Sequence, residues 1–158
     1  MNIYLASDHA GYKNKDALKV YLDKENQNGH IYKVIDCGDF EAGNSDDDYT
    51  DFMHKAMKLL TVDLSVGVES RAIIFGGSGQ GEAMVANRYR GVRATVYYGY
   101  DMSIIKVGRE HNDANVLSIG GRYVSMQETI EAVNLFLDTP YSRLDRHVRR
   151  VEKIEIVC

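Results

Sequence analysis

The chain has 158 residues, of which 44% are hydrophobic and 27% are charged, and it contains a single proline. This composition is typical of one compact globular domain spanning residues 1–158, and it excludes the collagen-like, disordered and membrane-embedded classes. The formal net charge of -4 argues against a surface built mainly to bind nucleic acid or an anionic membrane.

Short aliphatic and β-branched runs alternate with longer segments along the chain. The runs predict buried strands at residues 2–6, 31–36, 71–75, 94–98 and 116–120. The segments between them carry apolar residues at helical spacing. This alternation predicts an α/β fold with a five-stranded parallel sheet and helices on both of its faces.

The later helices have the clearer boundaries in the sequence. The third helix is predicted to begin near Gln80 and the fourth to cover residues 100–110. The fifth begins at Ser125 and runs to Leu137, because Ser125 is followed three residues later by Glu128 in the pattern of a capping box.

The C-terminal segment has no strand after it. Pro140 separates it from the fifth helix, and its spacing predicts a helix over residues 141–156. This helix could pack on its own sheet or on a partner subunit, and the sequence leaves both arrangements open.

Polar and glycine-rich motifs follow the predicted strands. Ligands of parallel α/β sheets bind at the carboxyl ends of the strands, so these positions are where a functional site is expected. The motifs read Ser7-Asp8-His9 after the first strand, Gly76 to Glu82 after the third, and Gly120-Gly121-Arg122 after the fifth.

The segment after the third strand has four glycines in six residues, from Gly76 to Gly81. Such a loop lets backbone N–H groups approach an anion closely, although a tight turn without function fits the same pattern. A nucleotide-binding loop does not fit, because Glu82 stands where the Walker motif needs lysine and where the dinucleotide motif needs its third glycine. Beside an anion site, the Glu82 carboxylate is instead suited to be a general base.

Three further groups have both a structural and a functional interpretation. Asp8 and His9 could simply cap the first helix. The segment His111-Asn112-Asp113 is a polar turn when taken alone. Arg146 and Arg150 share a helix face, which fits either a solvated basic surface or a grip on a phosphate monoester.

The cysteine content favours a reducing compartment. The two cysteines, Cys37 and Cys158, can form neither a multi-disulfide scaffold nor a cysteine-based zinc site. The first residues also lack the apolar run of a signal peptide, so we expect a cytoplasmic protein.

Several motifs together carry a family resemblance. They are SDHAG at 7–11, GGSGQGE at 76–82, GVRA at 91–94, REHNDANVL at 109–117, GGR at 120–122 and RHVRRVEKI at 146–154. In order and spacing they resemble the ribose-5-phosphate isomerase B family over nearly the whole chain. The resemblance implies a Rossmann-like three-layer sandwich with a C-terminal helix, and an aldose–ketose isomerisation of a sugar phosphate with no metal or cofactor. It also implies a homodimer or dimer of dimers with shared active sites, and no nucleic-acid or membrane partner.

The resemblance also assigns roles to residues. Phosphate binding falls to His9, Arg146 and Arg150, and Arg122 after the last strand also binds the substrate. The opening of the sugar ring falls to His111, with Asn112 beside it. The remaining contacts are Asp8 to the sugar hydroxyls or ring oxygen, Tyr49 in the sugar pocket, and the loop amides of Gly77, Gly79 and Gly81.

The identity of the base separates two branches of the family. The commoner branch has a cysteine at the position of Gly76, and the second branch has a glutamate at the position of Glu82. This chain resembles the second branch, with Ser78 in place of the usual threonine keeping a hydroxyl near the substrate oxygens. At Thr50 the family commonly has proline, so the turn before the second helix could differ.

The implied reaction is the interconversion of ribose 5-phosphate and ribulose 5-phosphate through an enediolate. Related enzymes act on allose, galactose or tetrose phosphates with similar residues, so the substrate stays open at this stage. The motifs are also compatible with a non-catalytic sugar-phosphate sensor and with a subunit that requires a paralogous partner.

Overall fold

The computed structural model describes residues 1–27, 29, 31–38 and 46–156. In this part of the chain, strands and helices alternate as the sequence predicts. The strands are β1 Asn2–Ser7, β2 Lys33–Asp36, β3 Ser70–Gly76, β4 Ala94–Tyr97 and β5 Val116–Gly120. The helices are α1 Tyr12–Gln27, α2 Tyr49–Ser65, α3 Gln80–Ala86, α4 Ser103–Asn112, α5 Met126–Asp138 and α6 Asp145–Ile154.

The five strands form one parallel sheet in the order β2-β1-β3-β5-β4. The predicted parallel sheet is therefore confirmed, although β2 begins at Lys33, two residues later than expected. The central strand β3 is buried along its whole length, as expected of a strand covered on both faces. The chain places β2 on one side of β1 and β3 on the other. The connections from these strands therefore leave in opposite directions, which opens a crevice at the carboxyl ends of β1 and β3.

Helices cover both faces of the sheet and make a three-layer sandwich. On one face, Leu18 of α1, Ile105 of α4 and Phe136 of α5 share a core cluster with the sheet. On the other face, α2 and α3 contribute Met53 and Ala86 to a second cluster. Burial of these apolar side chains, at about 25 cal/mol per Å² removed from water, is the main stabilisation of the sandwich.

Side-chain hydrogen bonds set where two of the helices begin. The predicted cap of α5 is confirmed, since the Ser125 hydroxyl accepts a hydrogen bond from the Glu128 N–H at 3.2 Å. The prediction for α4 is wrong by three residues at its start. The Asp101 carboxylate accepts hydrogen bonds from the backbone N–H and the hydroxyl of Ser103, at 2.8 and 2.7 Å, and so holds residues 100–102 outside the helix.

The C-terminal helix also begins later than the sequence predicts. It starts at Asp145 instead of residue 141, because the preceding segment takes a non-helical path: Arg143 has a φ of 54°, and the Ser142 N–H donates to the Glu110 carbonyl of α4 at 3.1 Å. The helix packs against α4 of its own chain. Within the described residues, no helix is long and apolar enough to cross a membrane.

Candidate active site

The carboxyl ends of β1, β3 and β5 border a cavity of about 300 Å³. Seven of the residues singled out from the sequence lie around it, together with Ala10 and Tyr123. The seven are Asp8, Tyr49, Gly77, Ser78, Gly81, Glu82 and Arg122. The structure thus brings the strand-end motifs together, as parallel topology requires. Tyr123 was missed because a tyrosine after a Gly-Gly-Arg turn carries no sequence signal of its own.

The glycine-rich loop joins β3 to α3 and forms one wall of this cavity. Gly79 has a φ of 76°, a left-handed conformation that strains other residues, and its carbonyl accepts a hydrogen bond from the buried Ser118 hydroxyl at 2.6 Å. The backbone N–H groups of Gly77, Ser78 and Gly79 donate to no acceptor within the described residues. These amides are therefore available to a negatively charged oxygen of a ligand.

Glu82 lies in the first turn of α3 and is only 4% exposed. Burial raises the pKa of its carboxyl, and the nearby charge of Asp8 raises it further, while the Glu82 backbone N–H acts in the opposite direction. The carboxylate lies directly over Gly76, where a Cβ atom would overlap it. A buried carboxylate with a raised pKa that borders a cavity has the properties of a general base.

Asp8 is held by the turn between β1 and α1. Its Oδ1 accepts hydrogen bonds from the backbone N–H groups of Ala10 and Gly11, each at 2.9 Å. Both N–H groups precede Tyr12, the first residue of α1, so Asp8 stabilises the turn before the helix and not the end of the helix itself. Asp8 also lines the cavity together with Glu82. Both roles are compatible because only one of its two oxygens makes these bonds.

His9 is bound by an acidic residue from a distant part of the chain. Its ring Nδ1 lies 2.5 Å from Asp47 Oδ1, and its backbone N–H donates to Asp47 Oδ2 at 2.9 Å. The hydrogen bond to Asp47 raises the pKa of His9, while the charge of Arg122 lowers it. The only sequence signal for Asp47 was its place in the short acidic run 46–48.

Arg122 and Tyr49 lie against the glycine loop from two sides. The Arg122 guanidinium covers Gly77, where a Cβ atom would lie 3.2 Å from Cζ, and the Tyr49 phenol contacts Gly81. Thr50, which replaces the proline common in the family, lies in the first turn of α2, where proline is also tolerated. The substitution is therefore compatible with Tyr49 lining the cavity.

Four other residues that the sequence analysis singles out lie elsewhere in the fold: His111, Asn112, Arg146 and Arg150. His111 stacks on His147 with 4.2 Å between ring centroids, and the Arg146 Nε lies 3.2 Å from His147 Nε2. Burial lowers the pKa of His147, and the positive charges of His111, Arg146 and Arg150 lower it further. We refer to His111, Arg146, His147 and Arg150 as the tail cluster.

The tail cluster lies at the opposite edge of the sheet from the cavity. Helix α4 carries His111 in its last turn and ends where β5 begins, whereas the cavity adjoins the carboxyl end of β5, about 13 Å away along the strand. Helix α6 is attached at the same amino-terminal edge, since Glu155 accepts a hydrogen bond from the Gly91 N–H at 2.9 Å, just before β4. Asn112 lies at this edge too, with its carbonyl bound by the Arg93 Nε at 3.0 Å.

Cys37 is fully buried at the end of β2 and does not line the cavity. Burial raises the pKa of its thiol to about 11. Cys158 lies outside the described residues.

Among the described residues, no group of three or more His, Cys, Asp or Glu side chains is arranged to hold a metal ion.

The family model described as ribose/galactose isomerase matches residues 3–154. The chain belongs to this family. It is therefore an isomerase, and its relatives include the ribose-5-phosphate isomerase B of Mycolicibacterium paratuberculosis, which is 37% identical over 152 residues, covering 96% of this chain and 88% of the relative. A putative sugar phosphate isomerase of Rickettsia bellii is 31% identical over 98% of this chain and 97% of its own length.

Solved structures of isomerases from this family share the fold. The ribose 5-phosphate isomerase of Thermotoga maritima has a TM-score of 0.84 and 33% identity, and the match covers 99% of this chain and 98% of the other. The ribose-5-phosphate isomerase B of Mycoplasma genitalium, solved with bound ribulose-5-phosphate, has a TM-score of 0.84 and 30% identity, covering 98% and 93% of the two chains. The predicted α/β three-layer architecture is thereby confirmed.

Proposed function

We propose that this isomerase interconverts ribose 5-phosphate and ribulose 5-phosphate through an enediolate, with Glu82 as the base. The observation that carries the proposal is the buried Glu82 carboxylate at a cavity whose glycine loop offers backbone N–H groups that donate to no acceptor within the described residues. Relatives with about a third of their residues identical bear the name of this activity, and one of the similar structures was solved with ribulose-5-phosphate bound.

The reaction needs one base that serves two adjacent carbons. Glu82 removes the proton from C2 of the open-chain aldose, the C2 electron pair forms the C1–C2 double bond, and the carbonyl oxygen on C1 becomes negatively charged. A proton then passes from the C2 hydroxyl to the oxygen on C1, and the protonated Glu82 returns its proton to C1. Atoms and charge balance over the cycle, and no electron carrier is required.

The glycine loop stabilises the charge that develops on the oxygens. Gly77 and Ser78 line the cavity together with Glu82, so their N–H groups can donate to the enediolate oxygen, whereas Gly79 is not among the lining residues. Gly81 supports this role by leaving room for the Tyr49 phenol against the loop. The Ser78 hydroxyl and the Asp8 carboxyl can bind the sugar hydroxyls from the same side.

The choice of glutamate as the base is supported by the position of Gly76. In the commoner branch of the family that this chain resembles, a cysteine stands at this position. Here the Glu82 carboxylate occupies the space that a side chain at residue 76 would need. A cysteine side chain at residue 76 and the Glu82 carboxylate therefore exclude each other, which is consistent with the two bases belonging to different branches.

Phosphate binding and ring opening need a second copy of the chain. His9 and Arg122 lie at the carboxyl edge, whereas the tail cluster and Asn112 lie at the amino edge of the same sheet. We infer a homodimer in which the tail cluster of one subunit completes the cavity of the other. His111 would then open the sugar ring, and Arg146 and Arg150 would bind the phosphate together with His9 and Arg122.

A hexose phosphate is the second candidate substrate, because the family model covers galactose as well as ribose isomerases. The test is a coupled assay of the purified chain on ribose 5-phosphate, allose 6-phosphate, galactose 6-phosphate and a tetrose phosphate. We expect the highest kcat/KM for ribose 5-phosphate, and a higher value for another sugar would transfer the assignment to it. Binding without turnover of any sugar would instead support a sensor or a subunit that lacks its paralogous partner.

A further inference from the structure

A second cavity, of about 370 Å³, lies at the amino-terminal edge of the sheet, away from the proposed catalytic cavity. It is bounded by the start of β3, the end of α4 and the segment after Pro140. Its charged lining consists of Arg71, Arg93, Arg109, Arg143, Glu69 and Asp113. Four guanidinium groups thus face one polar space with two carboxylates, which is an excess of positive charge in a chain whose net charge is -4.

Arg71 is buried, and its nearest carboxylate belongs to a largely exposed residue. Arg71 is 7% exposed, its Nη1 donates to the Phe136 and Leu137 carbonyls at 2.6 and 2.7 Å, and its Nη2 lies 3.5 Å from the exposed Glu69 carboxylate. Burial lowers the pKa of Arg71, and the positive charge of Arg109 lowers it further. A buried cation in this position gains from an additional anion.

The other carboxylates are already shared. Arg109 is 4% exposed and donates from Nη1 to Asp113 Oδ1 at 2.9 Å, which leaves its Nη2 without an acceptor in the described residues. The second oxygen of Asp113 is bound by Arg93 at 2.9 Å, and Arg93 also pairs with Glu155 at 3.1 Å. The Asp113 carboxylate of this cavity is therefore already paired with Arg93 and Arg109.

The guanidinium groups of Arg71 and Arg109 supply donors for a ligand in this cavity. Within the described residues, no acceptor binds the Nε of Arg71 or the Nη2 of Arg109. Donors that lose hydration without gaining an acceptor are costly, so an anion in the cavity would be favoured by accepting from them. Tyr141 also lines the cavity, but its hydroxyl oxygen is buried and out of reach of a ligand there.

We propose that this amino-edge cavity binds a small dianionic oxyanion such as a phosphate group. The planar guanidinium groups suit such an anion, since they donate two parallel hydrogen bonds to its oxygens. Within one chain the site lies at the opposite edge of the sheet from the proposed catalytic cavity, and its proposal does not depend on the proposed reaction. It borders the last turn of α4, where Arg109 and Asp113 flank His111 and Asn112, so an anion bound here would contact the segment that carries those side chains.

The first test is calorimetric titration of inorganic phosphate into the Arg122→Ala protein, in which the proposed catalytic phosphate site is weakened. We expect saturable binding with a dissociation constant of about 1 mM or below, weakened about 10-fold by adding Arg143→Ala, which removes an exposed arginine of the cavity lining. Arg88→Ala, which removes an exposed arginine outside the cavity, should leave the constant unchanged, as should chloride at equal ionic strength.

Two results would overturn the proposal. One is the absence of saturable phosphate binding, and the other is binding that Arg143→Ala does not weaken, which would place the anion elsewhere.

Thermal unfolding gives a second measurement that does not rely on weak binding constants. Without phosphate, Arg143→Ala should change Tm little, because Arg143 is exposed. With phosphate, the unsubstituted protein should gain more in Tm than the Arg143→Ala protein. An equal phosphate-dependent gain in both proteins would contradict binding at this cavity.

Discussion

Asp47 binds His9 through both of its carboxylate oxygens, one to the ring Nδ1 at 2.5 Å and the other to the backbone N–H at 2.9 Å. The Asp47 side chain is nearly buried, so this ion pair is less exposed to competing water than a surface pair. Because the pair raises the pKa of His9, the imidazole stays protonated to a higher pH. A protonated His9 has the charge that phosphate binding requires.

The first prediction concerns this pair. Asp47→Asn keeps the shape of the side chain and removes its charge, so the pKa of His9 should fall toward its ordinary value. We expect KM at neutral pH to rise about 10-fold while kcat changes little, since His9 is proposed to bind the phosphate and not the reacting carbons. The alkaline rise of KM, which follows loss of the His9 proton, should also move to lower pH.

Asp48→Asn is the matched control, because Asp48 is the neighbouring acid in the same run and makes no side-chain cap hydrogen bond at the start of α2. It removes the same charge without removing a partner of His9. Equal effects of the two substitutions on KM and on its pH profile would refute a specific role for Asp47.

The second prediction tests the base. Glu82→Gln retains the size of the side chain and removes the proton acceptor, so kcat should fall about 100-fold or more with KM nearly unchanged. In the unsubstituted protein, kcat/KM should decline as the pH falls through the pKa of Glu82, which burial raises above that of an ordinary glutamate. Steady-state kinetics across pH measures both effects. Near-normal turnover of the Glu82→Gln variant would show that another residue is the base, and Asp8 would be the next candidate.

The third prediction uses two adjacent glycines. An added methyl group at Gly76 would overlap the Glu82 carboxylate, whereas one at Gly77 would press on the Arg122 guanidinium at 3.2 Å. Neither glycine has a left-handed φ, so the backbone accepts alanine at both positions. We expect Gly76→Ala to lower kcat about 10-fold or more and Gly77→Ala to act mainly on KM. If both variants changed kcat and KM in the same proportion, the result would contradict the assignment of the base to Glu82 and of substrate binding to Arg122.

The fourth prediction tests the shared active site by complementation. If Glu82 of one subunit acts with His111 of the other, each mixed dimer of Glu82→Gln and His111→Ala chains carries one intact site. Random reassortment places half of the protein in mixed dimers, so about a quarter of the unsubstituted activity should return. Subunit exchange is ensured by unfolding and refolding the two proteins together and is checked with differently tagged chains. A mixture that exchanges subunits and stays as inactive as its parents would refute the shared site.

The fifth prediction concerns thiols. Cys37 is buried and the pKa of its thiol is raised to about 11, so its reactive thiolate is scarce at neutral pH. Treatment of the native protein with an alkylating reagent should leave the isomerase activity unchanged, with incorporation followed by mass spectrometry. Rapid inactivation that substrate prevents would show that a cysteine takes part in the reaction.

The sequence by itself determined the fold class and one half of the candidate site. Parallel strands present their carboxyl ends at one edge of the sheet, so motifs that follow separate strands must meet there. Topology alone therefore predicts that Asp8, Glu82 and Arg122 lie near one another, and all three line the cavity. His111 precedes β5 along the chain, so the same topology keeps it away from that edge.

Only the tertiary structure decided which side chains contact each other across long stretches of chain. Asp47 meets His9 over 38 residues, and the amino-edge cavity joins Arg71, Arg109 and Tyr141 from three separate segments. The start of α6 at Asp145 was likewise set by a contact, the hydrogen bond from Ser142 to the Glu110 carbonyl of α4. Periodicity and local motifs report which face or strand end a residue occupies, whereas these pairings depend on how distant elements pack.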